Sequence, residues 1–61
     1  MPKINEIELQ SIRHLIGDAL TGAKKLSFYA EQCEDPRLKN MFQSGAKGSQ
    51  QMADKLMGFL S

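Results

Sequence analysis

The side chains able to do chemistry here are few and scattered. His14 and Asp18 stand four residues apart, one helical turn, where an imidazole and a carboxylate can pair or take two corners of a metal site. A third ligand is missing at helical spacing, so the polar surroundings favour a surface pair over a metal site. Cys33 is the chain's one cysteine. A thiol becomes a nucleophile beside a cation or a helix N-terminus. No histidine or cationic partner is expected there, and Cys33 reads as a small apolar group closing a stripe. The sequence has no glycine-rich phosphate loop after a strand, no serine-histidine-acid set and no carboxylates paired across facing helices. We therefore expect no enzyme, no catalytic residue, no cofactor and no metal, with His14 and Asp18 as the nearest approach to a ligand pair.

A chain of 61 residues forms one domain, 1–61, and one this short removes too little surface from water to be comfortable alone. One cysteine and one histidine cannot supply a disulfide framework or a four-ligand zinc site, which leaves self-association as the remedy. Eight basic and seven acidic side chains are interspersed, so no one-signed face offers itself to nucleic acid or anionic lipid. No apolar run approaches the roughly 20 residues that cross a bilayer, and Met1 to Asn5 lack the apolar core of a secretory signal. The expected location is cytoplasmic, in keeping with a lone unpaired thiol.

Spacing defines the elements. Leu9, Ile12, Ile16, Ala19, Ala23, Leu26, Ala30 and Cys33 recur at steps of three and four, the heptad period of bundle packing, with Leu15, Leu20, Gly22 and Tyr29 widening the stripe. Asn5 and Glu8 form a capping box, and Ile4 and Leu9 are spaced as a hydrophobic staple. Pro36 disfavours helical geometry at Asp35, and the two make an N-cap and first-turn pair for a second helix. These signals predict an all-α, antiparallel two-helix hairpin over about 5–33 and 36–60, because so short a connection forces the helices to reverse and touch.

In the second helix Leu38, Phe42, Gly45, Ser49, Met52, Leu56 and Phe59 repeat the steps, with Met41, Ala46, Ala53 and Leu60 beside them. Gly45 and Gly48 interrupt the helix, each costing about 0.8 to 1 kcal/mol relative to alanine. Folding at Asp35 sets Gly45 to Ser49 opposite Gly22, Ala23 and Leu26, so small residues meet at one level, either in close approach of the two backbones or around a cavity, with close approach favoured. Phe28 falls among Lys24, Lys25, Glu31 and Gln32, where it covers lysine stems or marks a second contact surface. Both stripes are wider than one seam requires. A second copy would cover them, and the expected assembly is a two-fold homodimer closing a four-helix bundle, with Leu9, Ile12, Ile16, Ala19, Ala23, Leu26, Phe42, Gly45, Ser49, Met52, Leu56 and Phe59 as its core.

The segment Ile12-Arg13-His14-Leu15-Ile16-Gly17, the run from Lys25 to Phe42 through Tyr29-Ala30 and Asp35-Pro36, and the helix that follows resemble the spore coat protein F-like branch of the ferritin-like superfamily. Metal-binding relatives carry a glutamate on the first helix and a Glu-x-x-His pair on the second. Matching through the Asp35-Pro36 turn puts Ala19 at the first position and Ser49 and Met52 at the others, so all three ligands are absent. The resemblance implies a metal-free ferritin-like bundle, its two hairpins having their loops at opposite ends, with a structural role similar to that of spore-coat-type proteins, other coat-type proteins as partners and a spore-associated location. Two rival readings are a dimeric hairpin that binds RNA or another protein, for which Arg13, Lys24 and Lys25 are too diluted by acids, and a residual metal or ligand site at mid-bundle.

Overall fold

The computed structural model describes residues 4–60, and the expectation that Met1, Pro2 and Lys3 belong to no secretory signal lies outside them. Helix α1 runs Glu6–Gln32 and helix α2 runs Pro36–Gly58, with no strand among the described residues. The hairpin is a rod with principal extents of 46 × 16 × 13 Å. No helix among the described residues is long and apolar enough to cross a membrane.

Each helix starts as its first residues dictate. Glu8 N–H donates to Asn5 Oδ1 at 2.7 Å, and Asn5 N–H donates to Glu8 Oε1 at 3.1 Å, a reciprocal box that satisfies two of the orphan donors of a helix start. Glu6 and Glu8 add negative charge at the positive end of the helix dipole. At α2, Arg37 N–H donates to Asp35 Oδ1 at 2.8 Å, and Pro36 occupies the first turn, where its missing N–H removes nothing. Between the helices Cys33 and Asp35 are extended, and no described residue has positive φ, so the reversal is made without a left-handed residue. The helices are slightly shorter than the expected 5–33 and 36–60. Asn5 and Cys33 serve as extended caps, and α2 closes at Gly58, with the Phe59 N–H bonded to the carbonyls of Leu56 and Met57.

The seam is made of methyl groups. Ala23, Ala30, Ala46 and Ala53 are the buried residues, and no large side chain is fully buried. Leu9, Ile12, Ile16, Ala19 and Leu26 of α1 and Phe42, Gly45, Ser49 and Leu56 of α2 line it half-buried. Small residues at a helix contact let the axes approach the lower end of the usual 8 to 10 Å range, and the larger side chains are displaced to the flanks. Met52 shows the effect: Ala53, at 0 % exposure, takes the seam, and Met52, one residue and about 100° away, stays 56 % exposed.

The mid-level glycines divide into two kinds. A Cβ on Gly45 would stand 3.2 Å from Leu26 Cδ1, so here the absent side chain admits a leucine from across the seam. A Cβ on Gly48 would meet nothing within 4 Å, and one on Gly22 would meet only Ser49 Oγ, at 3.9 Å. Close approach therefore accounts for Gly45, whereas Gly48 opens away from the seam.

Overpacking the seam and filling an open helical site should have opposite effects. Ala53→Leu is expected to cost about 1 to 3 kcal/mol. Gly17→Ala, where the new methyl meets nothing within 4 Å, should stabilise by about 0.8 to 1 kcal/mol. Urea unfolding at one fixed protein concentration reads both, and an Ala53→Leu variant as stable as the parent would contradict the close seam.

Candidate functional site

The two flanks of the hairpin differ in chemistry. One carries an open groove bordered by Lys24, Ser27 and Glu31 of α1 and by Gln43, Lys47 and Gln50 of α2. Leu20 and Phe28 are the large apolar side chains in its lining, and Phe28, 57 % exposed, also sets its ring edge-on to Tyr29 at 6.2 Å between centroids. Phe28 thus sits on the same groove as Lys24 and Lys47, which is the surrounding in which an aromatic covers lysine stems.

The opposite flank is apolar. Leu15 and Tyr29 of α1, Leu38, Met41 and Met52 of α2, and Phe59 at the α2 C-cap remain exposed, Met41 to 69 %. Spacings of seven keep such residues on one side of a helix: Leu15, Gly22 and Tyr29 on α1, and Leu38, Gly45, Met52 and Phe59 on α2, with Met41 and Gly48 alongside. Tyr29 packs its ring 5.9 Å from that of Phe42, which ties the two helices together at the loop end of this flank. The hairpin exposes 4894 Å². A compact monomer of 6.8 kDa should expose about 4000 Å². The excess, about 900 Å², reflects the rod shape of a hairpin 46 Å long and 13 to 16 Å across.

The residues singled out for chemistry do not converge. His14 Nε2 lies 3.3 Å from Asp18 Oδ2, with the side chains 79 % and 66 % exposed, so they form a solvent-facing i, i+4 pair of the kind worth about 0.3 to 0.5 kcal/mol. Cys33 is a free thiol, half-buried at the end of the seam. Among the described residues no group of three or more histidine, cysteine, aspartate or glutamate side chains stands close enough to hold a metal ion. Ala19 and Ser49 are half-buried at the seam, and Met52 lies on the apolar flank, so these positions offer methyl, hydroxyl and thioether groups at mid-height.

No protein family, no curated protein and no solved structure matches this chain.

The steps of three and four in the sequence place one stripe per helix, but not all of it faces the seam. Leu15 and Tyr29, which read as widening, and Met41, which reads as a neighbour, stay exposed together with Leu38, Met52 and Phe59 of the α2 stripe itself. Counting each interval of seven separately is the signal that separates an apolar flank from a seam.

Neither member of the exposed pair should matter to the fold or draw a metal into it. His14→Ala and Asp18→Ala are each expected to change unfolding free energy by less than about 0.5 kcal/mol. Zinc or ferrous ion at a few equivalents should leave the thermal midpoint of the parent unchanged; a rise that His14→Ala abolishes would make the pair a binding site.

Proposed function

We propose that this chain is a non-enzymatic structural or interaction protein whose hairpin pairs with a second copy of itself to close a metal-free four-helix bundle. One observation carries the reading: the flank on which Leu15, Tyr29, Leu38, Met41, Met52 and Phe59 stay exposed in a single hairpin. A seam of four alanines withdraws too little apolar area to offset the conformational entropy of two long helices, so the partner supplies the missing burial. The resemblance to the spore coat protein F-like branch adds a ferritin-like arrangement with the ligand positions occupied by Ala19, Ser49 and Met52. In that setting the bundle serves as a packing unit of a protein coat, and the fold persists without the metal chemistry of its relatives.

Sedimentation equilibrium combined with circular dichroism over a dilution series tests the proposal. Helix content should fall as the dimer dissociates, unchanged by ferrous, manganous or zinc ions. A folded monomer at high concentration would refute self-association, and metal-dependent assembly would refute the metal-free reading. Met52→Glu, exposed in the single hairpin and buried in the bundle, should weaken the dimer at least about tenfold, the least expected for an unpaired charge taken out of water.

A further inference from the structure

The flank of Lys24 and Lys47 lies across the hairpin from the exposed methionines Met41 and Met52, and its groove has a pattern of its own. We infer that this groove is a docking surface for a partner helix that is apolar on its inner face and acidic along both edges of that face. The inference does not depend on the self-association proposed above, because the two surfaces lie on opposite sides of the hairpin.

The apolar part of the lining is Leu20, Ala23 and Phe28 of α1 and Ala46 of α2. The two alanines are buried and Leu20 is half-buried, while the Phe28 ring stays mostly in water, an aromatic surface with no cover inside its own chain. From Leu20 to Glu31 the groove follows α1 for about 16 Å, three turns, which suits a helical segment laid along it. Cross-seam neighbours set Gly22 level with Ser49, Leu26 with Gly45 and Tyr29 with Phe42. The same offset puts Lys24 level with Lys47, one ammonium on each border at mid-groove. Among the described residues neither lysine makes an ion pair or a side-chain hydrogen bond. Glu31, the carboxylate of the lining, stands two turns from Lys24, about 10 Å toward the loop, and leaves the positive level uncompensated.

This order of charge selects the occupant. A second copy lying groove to groove about a two-fold axis at the lysine level would gather four ammonium groups there, and like charges across an interface suppress such a pairing. Nucleic acid would need a longer run of phosphate contacts than two lysines supply, and it would leave Leu20 and the alanine methyls without apolar cover. An acidic amphipathic helix meets both demands. Apolar residues at steps of three and four would cover Leu20, Phe28 and the methyls, and glutamates bordering that stripe would reach Lys24 on one side and Lys47 on the other, as edge charges do when a helix is laid into a groove.

Two synthetic helical peptides that share one leucine stripe, bordered on both sides by glutamates in the first and by lysines in the second, test this against the full chain by fluorescence anisotropy at low salt. The glutamate peptide should bind at least about tenfold tighter than the lysine peptide, and added salt should narrow the gap. Lys24→Glu/Lys47→Glu should invert the order. Phe28→Ala should weaken the glutamate peptide about three- to tenfold without altering the protein's own self-association. Both lysines are exposed and unpaired, so helix content by circular dichroism should be unchanged in the charge-reversed protein. Lys24→Gln/Lys47→Gln, which introduces no new charge, gives the same test should the reversal disturb the fold, and it should bring the two peptides to within about threefold of each other. Equal affinity of the parent for the two peptides, binding indifferent to the lysine substitutions, or no binding of the glutamate peptide would overturn the inference. Loss of self-association in a folded charge-reversed protein would assign the groove to a second copy. An RNA oligonucleotide or an anionic vesicle held through Lys24 and Lys47 in preference to the glutamate peptide would assign it to a polyanion, and either outcome would overturn the inference as well.

Discussion

The contact on which the structure depends is the alanine seam. Ala23, Ala30, Ala46 and Ala53 are its buried residues, and the larger side chains of the inner faces are only half-covered at its edges. Close approach secures favourable dispersion contacts along most of the rod, but it hides little area. Leu9, Ile12, Ile16, Leu26, Phe42 and Leu56 end half-covered, and no large side chain is enclosed. A hairpin built this way is incomplete as a hydrophobic core, and the incompleteness is directional. Much of the displaced bulk lies on the flank of Leu15 and Met52, while the flank of Lys24 and Gln50 mixes charged and amide groups with Leu20 and Phe28.

That asymmetry, more than any reactive side chain, separates the functional classes. The titratable groups that attract notice at first reading stand apart: His14 and Asp18 face solvent, and Cys33 sits at the far end of the rod, with no metal-holding cluster among the described residues. The exposed apolar side chains of Leu15, Tyr29, Met41 and Met52 are the feature on which the proposed self-association rests.

Much of the fold was legible in the sequence because it is written locally. Asn5 and Glu8 formed the box their spacing foretold, Asp35 and Pro36 began the second helix, and the stripe from Leu9 to Cys33 lines the seam throughout. The second helix was harder. Met52 and Ala53 are adjacent and both apolar, so periodicity alone does not say which turns inward, and the structure buries Ala53 and leaves Met52 exposed. Gly45 and Gly48 looked alike for the same reason. Only the position of Leu26 distinguishes the glycine that admits a neighbour from the one that opens outward. The apolar flank was visible as surplus width in each stripe, but its separation from the seam depends on how far the helices close, which no single helix encodes.

The loop has a further consequence. Hairpins with short connections can straighten, letting the two arms fuse into one continuous helix that trades partners between molecules. Here Pro36 lacks the N–H that a continuous helix would need at that point, and its ring disfavours helical geometry at Asp35. Asp35 meanwhile spends its carboxylate capping the new helix through the Arg37 N–H. A continuous helix through the hinge is thereby disfavoured, and the reversal is favoured by the turn itself.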